Sequence, residues 1–414
     1  MISDSNKSKY TVAIVGAGAA GLMAAGSIRG CEVTVFDGNE KAGKKLYITG
    51  KGRCNVTNDC TPEDFFRSVV GNPKFLFSAI NLFSPKDTVS LLEREGVKTK
   101  VERGNRVFPE SDKSSDIIKA LYLRAVRIGA CFRWGEKVTS IEKVGEAFIV
   151  KTAENEYSFD KVLIATGGKS YPLTGSTGDG YALARTFGHA IVPVVPSLVP
   201  IKLKQDVSYL AGLTLKNVEV RVSIAGKTFS EFGEMLFTHE GVSGPTVLRL
   251  SAYINRMNVK GAKLHIDLKP ALDSVALDKR ITRDFEQNIN KQLKNSLDDL
   301  LPKALIAPII GASGIPADKK LNVISKAERA KLVNAVKNFE FDISGMDGFD
   351  GAIITAGGVA VSEISPKTME SKLVSGLYFA GEVIDVDALT GGYNIQIALS
   401  TAYAAAKAIS GGEI

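Results

Sequence analysis

The clearest ligand-binding motif in the sequence is a pattern of glycines near the start of the chain. Gly16, Gly18 and Gly21 follow the β-branched run at residues 11–15, and residues 22–28 predict a helix of small apolar side chains. In a strand–turn–helix unit the first glycine allows a tight turn, the second lets the backbone approach a pyrophosphate, and the third lets helix and strand pack closely. The pattern predicts a dinucleotide-binding turn with the phosphates at the helix N-terminus.

An acidic residue, Asp37, ends the next predicted strand, which covers residues 33–36. A carboxylate at this position accepts hydrogen bonds from ribose hydroxyls and repels a 2′-phosphate. NADP is therefore disfavoured at this turn, which leaves FAD or NAD.

The C-terminal part of the chain favours FAD. Residues 377–380 predict a buried strand, followed by Glu382, the pair Gly391-Gly392 and a long small-residue helix that starts near Tyr393. A helix N-terminus stabilises the negative charge that develops at the N1–C2=O edge of a flavin on reduction, and Glu382 is placed to bind ribityl hydroxyls. A plain packing helix would explain the alanines but not the glycine pair.

Further glycine turns follow other predicted strands. Thr166-Gly167-Gly168 comes directly after the strand at residues 161–165, and residues 355–359 form a similar cluster. Open α/β sheets bind ligands at the carboxyl ends of their strands. Residues 309–316 (IIGASGIP) lead into charged residues rather than an apolar helix, so no second dinucleotide unit is predicted. NADH or NADPH would then dock transiently over the flavin.

Composition and charge set broad limits on function. The chain has 414 residues, 52 of them Lys or Arg and 45 Asp or Glu, for a net charge of +7. This excess suits anionic cofactors but is weak evidence for nucleic acid, because the cationic segment 41–53 contains Tyr47 as its single aromatic residue. The four cysteines lack metal-site spacing, and no membrane span or signal peptide is predicted. We expect a cytoplasmic protein with no bound metal.

The pattern of strands and helices predicts an α/β fold with three domains. Residues 218–224 and 263–268 alternate in polarity and predict antiparallel strands, whereas residues 274–307 predict charged amphipathic helices. The predicted domains are a Rossmann-type, glutathione-reductase-like FAD domain (1–190 and 346–414), an inserted β-rich domain (191–271 and 331–345) and a small helical domain (272–330).

These motifs resemble those of the BaiN/RdsA-type (YhiN-like) NAD(P)/FAD-dependent oxidoreductase family. The most specific are Gly52-Arg53-Cys54-Asn55 and the sequence GEVIDVD followed by GGYN; the similar blocks cover residues 12–25, 43–58, 104–117, 164–184, 236–251 and 354–396. The resemblance implies hydride transfer from NAD(P)H through flavin N5 to a small organic acceptor, including unsaturated and steroid-like carbonyl compounds. It also places Arg53, Asn55, Gly392, Tyr393 and Asn394 beside the isoalloxazine. The family commonly has glycine where this chain has Lys51.

Residues and resemblance together define the candidate site. The predicted catalytic residues are Arg53, Asn55, His239 and Tyr393. The predicted cofactor-binding residues are Gly16, Gly18, Ala19, Ala20, Gly21, Asp37, Lys45, Arg53, Cys54, Asn55, Val138, Thr166, Gly167, Gly168, Gly381, Glu382, Gly392, Tyr393 and Asn394.

Two of these candidates have a competing structural interpretation. Cys54 lies among cations that would lower the pKa of its thiol, but it has no CxxC partner, and a buried, inert cysteine is favoured. His239, in FTHEGVSGP (237–245), is either a proton donor near the substrate or a structural residue.

Two other functions stay open. An oxidase would reduce the flavin with an amine or hydroxyl substrate and reoxidise it with oxygen. A tRNA-associated flavoprotein would use the positive charge to bind RNA, with an affinity that falls steeply as salt rises.

Overall fold

The computed structural model describes residues 10–412, in which strands and helices alternate. The strands in chain order are β1 (Thr11–Val15), β2 (Glu32–Asp37), β3 (Thr57–Asn58), β4 (Val69–Gly71), β5 (Thr99–Glu102), β6 (Arg106–Pro109), β7 (Cys131–Trp134), β8 (Ser140–Val144), β9 (Ala147–Lys151), β10 (Glu156–Phe159), β11 (Lys161–Ile164), β12 (Ile191–Ser197), β13 (Ile201–Leu203), β14 (Thr214–Ile224), β15 (Lys227–Phe237), β16 (Gly241–Ser243), β17 (Lys263–Asp267), β18 (Phe339–Met346), β19 (Ile354–Val359), β20 (Leu377–Phe379) and β21 (Asp387–Ala388). The helices are α1 (Ala19–Ala25), α2 (Lys44–Ile48), α3 (Pro62–Arg67), α4 (Phe77–Leu82), α5 (Pro85–Arg94), α6 (Ser114–Arg127), α7 (Asp179–Thr186), α8 (Pro245–Ile254), α9 (Ser274–Gln287), α10 (Lys303–Ser313), α11 (Lys326–Lys337) and α12 (Tyr393–Ile409).

A five-stranded parallel sheet in the order β20-β11-β1-β2-β7 carries the predicted glycine turns. β1 lies at its centre, and residues 12–14 are fully buried, as expected for a strand covered on both faces. Val15 pairs with Ile164, and Ile164 pairs with Phe379, so β1, β11 and β20 end at the same edge. The predicted Rossmann-type α/β fold is confirmed.

Helix α1 differs from its predicted span of residues 22–28. It begins at Ala19 and ends at Ala25. Alanine is the best helix former, so Ala19 and Ala20 extend the helix back to the glycine turn, whereas Gly26 is a poor helix former and follows its end.

A closed barrel with the strand order β13-β16-β15-β14-β17-β18 forms most of the β structure between residues 201 and 346. The alternation predicted for residues 218–224 is confirmed, because Val218, Val220 and Val222 are buried in β14. β14 pairs antiparallel with β17, which contains most of the second alternating segment.

The chain divides into two compact units. The first contains the residues up to Pro196 and those from Phe349 onwards, and the second runs from Ser197 to Gly348. In the second unit, Leu277 and Ile309 belong to the same hydrophobic cluster as the barrel residue Val220. The three-domain boundaries drawn from the sequence stay a prediction.

A buried amide ties helix α12 to earlier segments of the first unit. Oε1 of Gln396 accepts hydrogen bonds from Oγ1 of Thr57 (2.6 Å) and Oγ1 of Thr88 (2.7 Å). Its Nε2 donates to the Phe83 carbonyl (3.2 Å) and to Oγ of Ser400 (2.9 Å). Gln396 is fully buried, and these bonds use both lone pairs and both N–H groups of the amide.

We expect Gln396→Ala to lower the free energy of unfolding by about 3 kcal/mol, because it leaves the buried hydroxyl groups of Thr57 and Thr88 without their acceptor. Urea denaturation followed by circular dichroism measures this loss. Gln287→Ala, at an exposed position of α9, is the matched control and should change stability by less than about 0.5 kcal/mol. Equal effects of the two substitutions would show that the network does not stabilise the fold.

Candidate active site

The turn after β1 has the geometry that its glycines predict. Gly16 has φ +107°, and a Cβ atom on it would lie 2.6 Å from the Ala165 carbonyl oxygen. A Cβ on Gly21 would lie 1.8 Å from the Gly16 oxygen, so α1 packs directly on the turn. Gly18 is extended and a Cβ there would meet nothing within 4 Å. Packing requires the first and third glycines, whereas the second leaves space for a ligand.

The predicted ribose-binding carboxylate holds this turn together. Oδ2 of Asp37 accepts a hydrogen bond from the Ala17 backbone N–H at 2.7 Å, and Oδ1 accepts one from the Asn39 N–H at 2.8 Å. A Cβ on Gly38 would lie 3.2 Å from Cβ of Lys137, the neighbour of the buried Val138. The structure therefore brings Asp37 and the segment at Val138 to the same end of β2.

Glu382 follows β20, and protein donors hold its carboxylate. Oε2 lies 2.8 Å from Nζ of Lys45, and Oε1 accepts hydrogen bonds from Oγ of Ser170 (3.0 Å) and from the Thr355 N–H (2.8 Å). A Cβ on Gly168 would lie 2.6 Å from Oε1, so the glycine allows this approach. The structure joins the predicted residues Lys45, Gly168 and Glu382. Ser170 is not among the predicted site residues, although it lies within the similar block at residues 164–184.

The other predicted residues of this edge are close neighbours. Gly381 has φ +78°, and a Cβ on it would lie 3.1 Å from Cβ of Ala20 in α1. Gly167 has φ +74° and follows Thr166 at the end of β11. The ends of β1, β11 and β20 thus contribute small residues to one edge of the sheet.

The loop between α2 and β3 is strained and buried at its centre. Cys54 has φ +60° and Lys51 has φ +59°, a region that L-residues rarely adopt. Oδ1 of Asn55 and Oδ1 of Asn58 are buried without a hydrogen-bond partner among residues 10–412. An unpaired buried acceptor is costly, so a donor from outside the protein would stabilise this region.

Arg53 contacts acidic residues rather than other predicted site residues. Its Nη1 lies 2.8 Å from Glu102 and 3.1 Å from Asp112, and Nη2 lies 3.2 Å from the second Glu102 oxygen. The guanidinium also lies over the Phe108 ring, 4.1 Å from its centroid. These contacts fix Arg53 to β5 and β6, and its predicted flavin contact stays a prediction.

The start of α12 packs against β3. Gly392 has φ +96°, and a Cβ on it would lie 2.3 Å from the Thr57 carbonyl oxygen. The Gly391 carbonyl accepts a hydrogen bond from Nδ2 of Asn58 at 2.9 Å. The structure therefore brings the predicted turn at the start of α12 next to the loop of Asn55. The sequence analysis missed Asn58, a lone polar residue outside the glycine patterns.

The side chains at the start of α12 have structural partners. Asn394 accepts a hydrogen bond from the Ala388 N–H at 2.9 Å and donates one to the Ala388 carbonyl at 2.7 Å. The Tyr393 ring meets Phe65 edge to face, with centroids 5.5 Å apart. Both side chains fix the turn, and their predicted roles toward the cofactor stay predictions.

His239 is exposed between β15 and β16 in the second unit. The backbone of its neighbour Thr238 closes this turn by a hydrogen bond to the Gly241 carbonyl at 2.8 Å. The predicted role of His239 as a proton donor stays a prediction.

The site has the features that FAD requires. The turn at Gly18 leaves its backbone open to a pyrophosphate, and the unpaired Asn55 amide oxygen suits a ring N–H donor such as that of a flavin. Residues 309–313 form the end of α10, which Gly314 caps at φ +68°, so the segment 309–316 is not a second dinucleotide turn. Within residues 10–412 no group of three or more His, Cys, Asp or Glu side chains is arranged to hold a metal ion.

Comparison with known proteins agrees with this geometry. The family described as HI0933-like protein Rossmann domain matches residues 10–408. The chain belongs to this HI0933-like family. The predicted resemblance is thereby confirmed, and the HI0933-like chain is an FAD-dependent oxidoreductase.

Several relatives match nearly the whole chain. A ribosomal RNA dihydrouridine synthase of Haemophilus influenzae is 35% identical over 405 residues, covering 96% of this chain and 98% of that protein. A 3-dehydro-bile acid delta(4,6)-reductase of Clostridium scindens is 30% identical over 404 residues, with 96% and 98% coverage. The structure of a 3-ketosteroid-delta4-(5alpha)-dehydrogenase from Rhodococcus jostii RHA1 has a TM-score of 0.52 at 14% identity and covers 99% of both chains, which shows a shared fold.

Among residues 10–412, none of the helices has the length and apolar character needed to cross a bilayer. The cytoplasmic location stays a prediction.

The four cysteines of this HI0933-like protein differ in exposure. Cys54 is fully buried, and burial raises the pKa of its thiol to about 11. Burial also raises the pKa of Cys60 to about 11 and shifts the pKa of Cys31 upward, whereas Cys131 is exposed. A raised pKa means that the thiol stays protonated, and therefore unreactive, at pH 8.

We expect iodoacetamide at pH 8 to alkylate Cys131 in the native protein and to leave Cys54 unmodified, as measured by peptide mass spectrometry. Because the pKa of Cys54 is raised, its labelling should increase only as the pH approaches that value. The same reaction in urea should modify both thiols. Rapid native labelling of Cys54 would instead support a reactive thiol.

We expect Gly18→Leu to lower the bound flavin at least about tenfold, because the new side chain fills the space left for the pyrophosphate. Absorbance at the flavin bands, relative to protein, measures occupancy. The fold should be kept, since a Cβ on Gly18 meets nothing within 4 Å. Gly348→Leu is the matched control, because this glycine has similar free space in the second unit. Full flavin content in Gly18→Leu would show that the pyrophosphate does not bind at this turn.

Proposed function

We propose that this protein reduces a carbon–carbon double bond conjugated to a carbonyl group, with NADH or NADPH as the electron donor. The observation that carries this proposal is full-length similarity to relatives with two different substrates. A dihydrouridine synthase saturates the C5=C6 bond of uracil, which is conjugated to the C4 carbonyl. The name delta(4,6)-reductase of a 3-dehydro-bile acid describes double bonds conjugated to a 3-ketone. Both reactions add a hydride to an electron-poor alkene.

The residues of the first unit would hold the cofactor in distinct ways. The backbone at Gly18 would face the pyrophosphate, Asp37 would bind the adenosine ribose, and Glu382 would face the ribityl chain. Bound FAD would supply the hydride chemistry. Asn55 and the start of α12 would orient and polarise the ring system, because an amide oxygen and a helix N-terminus offer complementary polarity.

The hydrogen-bond partners of the two carboxylates support these proposed roles. Lys45 neutralises the Glu382 carboxylate at 2.8 Å, and Ser170 and Thr355 occupy Oε1, so the carboxylate keeps one orientation and one acceptor site on Oε2 remains for a ligand hydroxyl group. Asp37 is held in the same way by backbone N–H groups. Both carboxylates are therefore pre-organised as acceptors, which lowers the entropy lost when a ligand binds.

The proposed reductase has two candidate hydride acceptors: a small unsaturated carbonyl compound, and a uridine in ribosomal RNA. A specific observation favours the uridine. The turn of the β5–β6 hairpin carries Arg103 and Arg106, and neither forms an ion pair with another residue in the range 10–412. The hairpin turn reaches the site, because the Gly104 carbonyl accepts a hydrogen bond from Asn58 at 3.0 Å. Unpaired cations beside a site suit a phosphate backbone.

We expect NADH or NADPH to bleach the flavin bands of the purified protein under anaerobic conditions. Anaerobic addition of an α,β-unsaturated ketone, or of an unmodified ribosomal RNA transcript, should then restore the bands and yield the saturated product. In the opposite outcome, the flavin bands stay unchanged with both nicotinamides and bleach with an amine or alcohol. If hydrogen peroxide then forms in air, the protein is an oxidase and this proposal is wrong.

Replacing one arginine distinguishes an RNA acceptor from a small-molecule acceptor. If RNA is the substrate, Arg103→Ala should weaken RNA binding and lower the salt dependence of the affinity by about one ion, while the rate with the unsaturated ketone stays unchanged. Arg185→Ala, at an exposed position of α7, is the matched control. A protein that reduces the ketone but neither binds nor modifies the transcript has a small-molecule substrate.

A further inference from the structure

A cavity of about 620 Å³ lies in the first unit, between α4, α5, α6, α12 and the segment that follows α1. Its volume falls within the range of roughly 300–1,000 Å³ that is usual for small-molecule sites. None of the residues assigned above to cofactor or substrate lines it. Its charged lining consists of Arg29, Arg94, Arg124, Arg127, Asp87 and Glu95.

The two acidic residues of this cavity already have partners. Asp87 belongs to the capping box of α5, where its carboxylate accepts hydrogen bonds from the backbone N–H (2.8 Å) and hydroxyl (2.6 Å) of Ser84. Glu95 forms an ion pair with Arg127. Among residues 10–412, no carboxylate pairs with Arg29, Arg94 or Arg124. Three guanidinium groups therefore share one cavity without an ion-pair partner of their own, and the lining carries four arginines against two carboxylates, of which Glu95 partly offsets the charge around Arg124.

Arg124 is held inside the cavity by neutral groups. Its Nη1 and Nη2 donate to Oγ of Ser27 at 3.1 and 3.2 Å. A Cβ on Gly26 would lie 2.6 Å from Nη1, so the glycine lets the guanidinium rest on the end of α1. Burial and the nearby Arg29 lower the pKa of Arg124 to about 10. The charged form is thus destabilised, and an anion would relieve this.

An aromatic wall completes the cavity. The ring of Tyr403 in α12 lines it and packs against Phe83 with centroids 4.8 Å apart. An aromatic side chain beside guanidinium groups can contact the ring of a ligand whose charged end meets the cations.

We propose that this cavity binds a phosphate monoester of nucleotide size, with its terminal phosphate facing Arg29, Arg94 and Arg124. A terminal phosphate carries about two negative charges near neutral pH and three acceptor oxygens, which match several guanidinium forks better than one carboxylate does. The recessed position of Arg124 favours a chain-end phosphate over a diester in an RNA backbone, which has substituents on both sides. This inference is independent of the reductase proposal, because it uses none of the same residues.

The test is calorimetric titration of the flavin-loaded protein with guanosine monophosphate, guanosine and inorganic phosphate at constant ionic strength. We expect saturable binding of the monophosphate at one site and binding of guanosine at least about tenfold weaker, because the charged contacts are lost. Arg94→Ala should weaken binding of the monophosphate about tenfold, since Arg94 is exposed and removing it leaves the core intact. Arg124→Gln should weaken it at least as much.

Arg185→Ala is the matched control, because it removes an exposed arginine that does not line the cavity. The inference fails if Arg94→Ala binds the monophosphate like the wild type, or if guanosine binds equally well. Displacement of the monophosphate by an RNA oligonucleotide without terminal phosphates would assign the cavity to an RNA backbone instead. Bleaching of the flavin by nicotinamide should be the same in Arg94→Ala and wild type, so failure of this inference and failure of the reductase proposal are separate results.

Discussion

The contact between two backbone segments at the end of β1 is the constraint on which the first unit depends. α1 can lie on the turn at Gly16 only because Gly21 has no side chain, and β11 can lie beside it only because Gly16 has none. A methyl group at either position would overlap a carbonyl oxygen. This contact sets the direction of α1, against which α12 packs, and it leaves Gly18 as the point where the backbone is open.

The same type of contact brings the C-terminal part of the chain to the N-terminal part. Gly392 approaches the Thr57 carbonyl at a distance that a side chain would prevent, and Gly381, at φ +78°, lies close to Ala20. Gln396 adds a buried, fully bonded amide at the same junction. Segments more than 300 residues apart therefore meet in one site. Their positions are specified by close backbone contacts at glycines and by buried hydrogen bonds.

The sequence predicted those parts of the site that depend on local pattern. The spacing of Gly16, Gly18 and Gly21 and the glycine pair before α12 each indicate a required backbone geometry, and the structure contains both. The sequence did not predict the partners of Glu382, because Lys45 and Ser170 lie 337 and 212 residues away in the chain. Lone polar residues such as Asn58 and Gln396 give no periodic signal, although their burial makes them structurally decisive.

Arg53 shows how a residue in a specific motif can act through its neighbours. Within four positions the loop holds two non-glycine residues, Lys51 and Cys54, at positive φ, a conformation that costs about 1 kcal/mol each. Such strain persists only where surrounding contacts over-determine the backbone. The ion pairs of Arg53 with Glu102 and Asp112 supply such contacts at the centre of the loop. Arg53 lies two positions before Asn55, so these ion pairs also restrain the segment that carries the unpaired Asn55 oxygen. On this geometry the ion pairs of Arg53 support the strained backbone that carries the Asn55 oxygen, whereas the catalytic role predicted for Arg53 stays a prediction.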